Sequence, residues 1–420
     1  MKQTFVTKNS KRIYFFLVSV LLFAASSSTA LAAPNNIYAS DLRSQNIQTL
    51  KITKMTVLYM NSDLTLTKIT GDYELDVIKE GDYTLTVTNT EGTAINVKSF
   101  YCNANLTVKS LKAEKGIEAD YITLDGSTVN LTGDKNVVYA YESFTVTDRC
   151  KSLTIKNNKN DYSAVYSEGN VSIEASKVLI TGQKDAVRSY DNLYLAEGGE
   201  MTFISASEDG TALHSYNGNV EIDSCDVTAT GGMAIRAEKH IQVKGTLKAT
   251  SISMDRAAIL SDKGSFRLTG SAIVNGGKRA IECNYYNNET DFGYVAINGD
   301  LTASNKKADS YCIAARCVNF LQGTVTVNST SDAIHIEGDG FSASLNVREA
   351  HLTATSSESG STALYVGNGI TFNNAVVKAT GGTAIRSHYY MDVYKSSVYA
   401  KALQPGSYAI KSPTPKYADH

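Results

Sequence analysis

Residues 229–237 read ATGGMAIRA and residues 379–387 read ATGGTAIRS, so two stretches 150 residues apart match at seven of nine positions. A match of this quality indicates either a duplicated domain or two copies of a much shorter repeat. The two cases are separated by searching the rest of the chain for the Ala-Ile step at the centre of both stretches.

The apolar residue of this step, here called the marker, recurs through most of the chain. The markers are Ile95, Ile117, Val138, Val165, Val187, Leu213, Ile235, Ile259, Ile281, Ile313, Ile334, Leu364, Ile385 and Ile410. Ala precedes the marker in eleven of these fourteen cases, and successive markers lie 21 to 32 residues apart with a sharp minimum at 21 or 22. The longer spacings indicate loop insertions, so the two opening stretches are the most similar copies of one short repeat.

Each repeat contains three segments that are typical of short β-strands. The first carries the marker, the second follows six to eight residues later, as at Val171 and Ile173, and the third precedes the next marker, as in residues 226–230. Apolar and polar residues alternate in these segments, and Gly pairs such as Gly231 and Gly232 follow the third, where we expect a positive φ. Three strands and three corners in about 22 residues predict one turn of a parallel β-helix.

The sequence divides into four parts. Residues 1–32 predict a signal peptide, because a basic start and an apolar run of about 13 residues precede small residues; an uncleaved anchor helix is the alternative. Residues 33–93 are strand-like but off the period and are expected to form an N-terminal β capping region. Residues 94–412 predict the β-helix, about 14 coils of 21–32 residues, and residues 413–420 a C-terminal tail. We expect a secreted or cell-surface protein with no membrane span after cleavage.

Composition argues against several kinds of site. The formal net charge is −2, which implies no strong electrostatic attraction to nucleic acid or to an anionic membrane. The six cysteines are scattered, with no zinc-type spacing, and most are expected to be buried free thiols; pairing of Cys283 with Cys312 or Cys317 stays open. The Gly pairs precede strands rather than helices, so a nucleotide-binding loop is not expected.

On its fourteen coils, its Val-x-Ala-Thr-Gly-Gly corners and its export signal, the chain resembles the right-handed β-helix proteins of the pectate-lyase-like superfamily. Within that class it is similar to exported bacterial proteins that bind carbohydrate without catalysis. The resemblance covers about residues 70–412. It implies a right-handed, single-stranded parallel β-helix, and it implies that an enzyme of this class would use clustered Asp residues, in lyases with calcium and an Arg or Lys base.

The position after the marker should point outward, and it shows no carboxylates on adjacent coils. It therefore predicts no carboxylate pair for hydrolysis and no metal site, although Ca²⁺ stays open. The best local candidates for catalysis are Asp332 and His335, two residues before and one after the marker Ile334. The alternative is a turn-forming Asp beside a solvent-facing His, and Asp185, at the same phase six coils earlier, favours that alternative.

The same outward column predicts a binding surface. It carries Tyr139, Tyr166, Arg188, His214 and Arg236, and the following corner adds Tyr141, Tyr190 and Tyr216. Related corner positions hold Tyr121, Tyr285 and Tyr389. Stacked Tyr rings suit sugar rings, and Arg and His suit hydroxyls or carboxylates. Exposed Tyr ladders also stabilise sheets without any ligand, which is the alternative.

These observations favour a non-catalytic protein that binds a polysaccharide or cell-wall glycan and holds no cofactor. A surface adhesin or spacer, and a divergent polysaccharide lyase or hydrolase, are the alternatives. A protein partner is also expected at the C-terminal coil end, where the sequence shows no clear cap.

Overall fold

The computed structural model describes residues 35–112, 114–197, 199–284, 293–338, 343–413 and 415–418. Residues 36–420 form one compact unit. It is an all-β, right-handed parallel β-solenoid with three short strands per coil, and strands make up 62% of the chain. The predicted fold class is confirmed. The predicted signal peptide, residues 1–32, and Tyr285 lie outside the described residues.

The first stack of strands contains the markers. Its strands are Thr49–Ile52, Lys68–Gly71, Ile95–Asn96, Lys115–Leu124, Asn136–Val146, Val165–Ser167, Val187–Ser189, Thr211–Ser215, Met233–Ala237, Ala257–Ser261, Arg279–Cys283, Ile313–Ala315, Ile334–Ile336, Thr362–Val366, Thr383–Ser387 and Ile410–Lys411. Neighbours pair in parallel with the markers in register, as in Val187 with Leu213 and Leu213 with Ile235. The period in the sequence is therefore the period of the coils.

The second stack follows after a short bend. Its strands are Thr56–Met60, Glu74–Lys79, Ser99–Cys102, Asn170–Ile173, Leu193–Ala196, Val220–Asp223, Ile241–Val243, Ser265–Leu268, Tyr294–Asn298, Ser344–Arg348, Gly369–Asn373, Tyr390–Tyr394 and Pro415–Ala418. Lys115–Leu124 and Asn136–Val146 run through the first and second stacks without a break. Val171 and Ile173 pair with Leu193 and Leu195, as their spacing from the markers predicts.

The third stack closes each coil. Its strands are Leu64–Leu66, Thr84–Asn89, Asn105–Ser110, Thr128–Gly133, Ser152–Asn157, Lys177–Gly182, Glu200–Ser205, Asp226–Gly231, Thr246–Ser251, Ser271–Gly276, Asp300–Asn305, Ala350–Ser356, Val376–Gly381 and Ser397–Ala402. Cys317–Ser329 runs through the second and third stacks. Several insertions, including residues 158–164 and 206–210, lie at the corner between the third and first strands, so they leave the strand pairing intact.

Two further coils precede the first marker, and the structure has about 16 turns rather than the 14 expected. Leu50 pairs with Ile69, and Ile69 pairs with Ile95, so both lie in the marker column. Neither follows an Ala, since Thr49 and Lys68 precede them, and a search for the Ala-Ile step therefore misses them. The strand Asn35–Tyr38 and the helix Ala39–Ser44 come before these coils, and the helix packs Ala39 and Leu42 into the core.

The core is a continuous apolar column inside the three stacks. The marker side chains from Val187 to Ile281 are fully buried, and large aromatic side chains such as Phe144 and Phe266 fill the second-strand positions. At the C-terminal end the packing is looser, since Val393, Val398 and Ile410 are only partly buried. Five of the six free cysteines are buried, and Cys317 is half-buried. Among the described residues, no helix is long and apolar enough to cross a membrane.

The Gly pairs at the corners have a different role from the one expected. The positive φ angles occur at other glycines, such as Gly92 and Gly323. At Gly232 an added Cβ would lie 1.9 Å from the carbonyl oxygen of Glu208, and at Gly382 it would lie 1.9 Å from that of Ser359. Glycine is needed here because the backbone of the preceding coil passes too close for any side chain.

Gly232→Ala should therefore destabilise the protein by about 1–3 kcal/mol, the usual cost of forcing extra volume into packed structure. The measurement is the shift of the urea unfolding midpoint relative to the wild type. Gly360→Ala is the matched control, because nothing lies within 4 Å of its added Cβ, and it should stay within about 0.5 kcal/mol of the wild type. Equal midpoints for the two variants would show that close approach is not the constraint at Gly232.

Candidate functional site

The residue after each marker forms an outward column along the first stack. Parallel pairing aligns Tyr139 with Tyr166, Tyr166 with Arg188, Arg188 with His214, and His214 with Arg236. Consecutive members are about 4.8 Å apart, the spacing of hydrogen-bonded strands. A second outward column, three residues after the marker, runs beside it and carries Tyr141, Tyr190 and Tyr216. The structure thus brings all eight predicted ligand-binding residues onto one face.

Tyr139 lies at the centre of a polar and aromatic cluster. Its ring centroid is 5.1 Å from that of Tyr166 and 5.0 Å from that of Tyr141. Lys115 Nζ lies 3.7 Å from the Tyr139 centroid and 2.6 Å from Glu118 Oε1, which also accepts a 2.8 Å hydrogen bond from Tyr141 Oη. The cluster therefore holds these rings in fixed positions.

The ionisation of the cluster follows from the same contacts. Burial raises the pKa of Tyr139, and its hydrogen bond to Glu168 raises it further. The hydrogen bond to Glu118 raises the pKa of Tyr141 to about 12. Burial alone would raise the pKa of Glu118, but the hydrogen bonds from Lys115 and Tyr141 hold it below its usual value. At neutral pH the phenols are protonated donors and the Glu118 carboxylate is charged.

Tyr190 and Tyr216 form the most accessible part of the face. They are 46% and 51% exposed, and their rings stack at 5.5 Å and 25°. The guanidinium carbon of Arg188 is 5.6 Å from the Tyr216 centroid and 5.8 Å from that of Tyr166, so it lies between the two tyrosine pairs. Because each ring partly covers its neighbour, the surface is a series of overlapping rings rather than a single flat plane.

His214 and Arg236 are less available to a ligand than the sequence suggests. His214 is 9% exposed, and burial, followed by the positive charges of Arg236 and Arg188, lowers its pKa to about 3. Arg236 Nε donates to Asp262 Oδ2 at 2.8 Å. His214 is thus a neutral side chain buried beneath the face. Arg236 is held in an ion pair at the end of the face.

The side chains of Asp332 and His335 are joined by a hydrogen bond. His335 Nδ1 lies 2.8 Å from Asp332 Oδ2, and Asp332 Oδ1 accepts the backbone N–H of Thr362 at 2.7 Å. Asp185 accepts the N–H of Thr211 in the same way, so this phase of the coil uses Asp to tie itself to the next coil. Asp332 therefore has a structural role and also orients His335.

His335 belongs to a second aromatic cluster that the sequence reasoning missed. Its ring lies between those of Tyr311 and Tyr365, with centroids 3.7 Å and 4.5 Å away and interplanar angles of 8°. It lines a cavity of about 430 Å³ together with Arg279, Glu282, Tyr311 and Arg316. Tyr311 and Arg279 lie two residues before a marker and Arg316 three after one, so tabulating those two columns would have found them, whereas Tyr365 and Glu282 lie in the column directly after the marker.

Two adjacent carboxylates on this face are each paired with a cation. Glu238 and Asp262 are neighbours in the second outward column, but Glu238 pairs with Lys263 and Asp262 with Arg236. In the part of the chain that the structure describes, no group of three or more His, Cys, Asp or Glu side chains could hold a metal ion. Comparison of the chain with protein-family models, curated proteins and solved structures finds no match. These comparisons therefore assign no function to the face.

The depressed pKa of His214 predicts an acid-dependent loss of stability. Below pH 6.5 the unfolded histidine binds a proton that the folded one does not bind until about pH 3, so stability falls as the pH falls through this window. The fall for one such group approaches about 1.4 kcal/mol per pH unit. His214→Gln should remove this contribution, and urea midpoints at pH 7 and pH 4.5 measure it.

The control for His214→Gln is His351→Gln, which changes an exposed histidine on the third stack. It should keep the acid sensitivity of the wild type. If His214→Gln lost as much stability between the two pH values as the wild type does, the buried neutral state of His214 would be wrong.

Proposed function

We propose that this chain is an exported, non-catalytic β-helix protein that binds a polysaccharide along the outward face of the first stack. The observation that carries the proposal is the accessible stacked pair Tyr190 and Tyr216, continued by Arg188 and the pair Tyr139 and Tyr166. The resemblance to the carbohydrate-binding β-helix proteins of the pectate-lyase-like superfamily supports the same reading and a secreted or cell-surface location.

The chemistry of the face suits an extended glycan. Tyrosine rings offer apolar surface to the C–H faces of sugars, and the hydroxyls of Tyr190 and Tyr216 and the Arg188 guanidinium offer hydrogen-bond donors. From Tyr139 to Tyr216 the face spans three coil steps, about 14 Å at the spacing of hydrogen-bonded strands. Since the rings are already held by Glu118, Lys115 and their own stacking, little side-chain freedom is lost on binding.

A lyase or hydrolase is the second candidate, and the Asp332–His335 hydrogen bond favours it. The bond fixes a proton on Nδ1 and leaves Nε2 as the atom that could accept one. The paired state of Glu238 and Asp262 argues against a hydrolytic carboxylate pair on the same face. Binding without turnover is therefore the function that more of the surface supports.

The test is a pull-down of the purified protein on insoluble polysaccharides, with affinity electrophoresis on soluble ones. The double variant Tyr190→Ala/Tyr216→Ala should weaken retention at least tenfold, because it removes both exposed rings. A tenfold loss corresponds to about 1.4 kcal/mol, which is modest for two aromatic contacts.

Tyr399→Ala is the matched control, since Tyr399 is 61% exposed on the third stack, away from the face. It should bind as the wild type does. Equal retention of the double variant and the control would show that Tyr190 and Tyr216 do not bind the polysaccharide. If neither were retained more than background, the protein would not bind these polysaccharides at all. Release of unsaturated or reducing products from a bound polymer would contradict the non-catalytic reading and favour the second candidate.

A further inference from the structure

A second cavity, of about 540 Å³, lies at the C-terminal end of the first stack, beside its last two strands. The described residues that line it include Arg386, His388, Tyr389 and Lys411, and none of them carries a carboxylate. The cavity beside His335 differs, since two glutamates line it. The lining of this second cavity, here called the Arg386 cavity, therefore favours an anion.

The two cations of the Arg386 cavity lie directly opposite each other on adjacent coils. Parallel pairing sets Arg386 beside Lys411 in the outward column of the first stack. Like charges opposite each other destabilise a strand pair. In the described part of this column no other adjacent coils both carry Arg or Lys, and the neutral His214 separates Arg188 from Arg236. The strand pairing alone therefore gives no reason for these two charges.

Neither cation is neutralised by a carboxylate. Arg236, in the same column, is held by an aspartate, but in the part of the chain that the structure describes Arg386 and Lys411 form no ion pair. Each lies against an aromatic ring instead. The guanidinium carbon of Arg386 is 5.3 Å from the Tyr365 centroid, and Lys411 Nζ is 5.7 Å from the Tyr408 centroid. A ring attracts a cation without cancelling its charge, so both charges stay available to a ligand.

Phosphate is the anion whose charge matches this pair. A phosphate monoester carries about −1.5 to −2 charges near neutral pH and has three acceptor oxygens, whereas a carboxylate carries a single charge. The planar fork of Arg386 can donate two parallel hydrogen bonds to it, and Lys411 adds a point charge. His388 has a ring N–H donor in either protonation state, and Tyr389, 60% exposed, has a phenol donor. The volume leaves room for the group that carries the phosphate.

We propose that the Arg386 cavity binds a phosphate group, placed between the guanidinium of Arg386 and the ammonium of Lys411. Free phosphate, a soluble phosphate monoester and the headgroup of phosphatidic acid all offer this chemistry. The inference goes beyond the proposed glycan binding, because Tyr190 and Tyr216 lie on earlier coils and do not line this cavity. Each site can therefore be tested without the other.

The test titrates inorganic phosphate and acetate into the full chain by isothermal titration calorimetry, at neutral pH and constant ionic strength. The wild type should bind phosphate at least about tenfold more tightly than acetate, because two cations meet a doubly charged anion. Arg386→Gln and Lys411→Gln should each weaken phosphate binding at least about tenfold. Both variants should keep a urea unfolding midpoint at or above that of the wild type, since each removes a repulsion between like charges.

Lys378→Gln is the matched control, because it removes one exposed positive charge near the same end of the solenoid but on the third stack. It should bind phosphate as the wild type does. Glycerol 1-phosphate and phosphatidylcholine vesicles that contain phosphatidic acid separate the sources of the phosphate. The probe that binds more tightly than inorganic phosphate identifies a soluble ester or a lipid headgroup, and equal affinities identify free phosphate.

Three results would overturn the proposal. The first is equal binding of phosphate and acetate by the wild type, and the second is a loss in Lys378→Gln as large as that in Arg386→Gln. The third is an unfolding midpoint well below that of the wild type in both Arg386→Gln and Lys411→Gln, which would show that the two charges serve the fold. The variant Tyr190→Ala/Tyr216→Ala should bind phosphate normally, so failure of this site is distinguishable from failure of glycan binding.

Discussion

Parallel hydrogen bonding between successive coils is the constraint on which the rest of the molecule depends. It fixes neighbouring coils about 4.8 Å apart and sets every residue above one of the same phase in the previous coil. An inward position thus becomes a continuous apolar column, and an outward one becomes a row of side chains in contact. The close approach at Gly232 and Gly382 follows from the same spacing, because the third corner turns against the backbone of the coil before it.

This constraint explains why so much of the fold could be predicted. Inward positions tolerate few residue types, so the marker column could be traced from Ile95 to Ile410 by its residues alone. The two coils at Leu50 and Ile69 were missed because the tightly packed small residue before the marker is replaced there. Burial requires an apolar residue at the marker position of every coil. At the position before the marker, Ala is only the commonest residue.

The sequence predicts which residues line the main column of the outward face. It does not predict the contacts that their side chains make with other columns. The alignment of Tyr139 with Tyr166 follows from register, and register follows from the period. The stacking of Tyr311 on His335 does not, because these residues occupy different phases and meet through the directions of their side chains at a bend. For the same reason the burial of His214 and the ion pair between Arg236 and Asp262 could not be predicted from the residue pattern.

On the outward face of the first stack, the positions that depart from the repeating pattern are the ones that the coil alone does not explain. Over much of the first stack the outward residues are long, and each covers part of the next, so the ladder of side chains supports the sheet whether or not a ligand binds. Ala314 breaks this ladder and leaves Glu282 and His335 without a neighbour of ordinary size between them. Beside this gap Asp332 has two roles, since it ties the coils together through Thr362 and also holds His335. Such a position shows where the outward face departs from the repeat, because burial restricts the inward column in every coil but leaves the outward column free to vary.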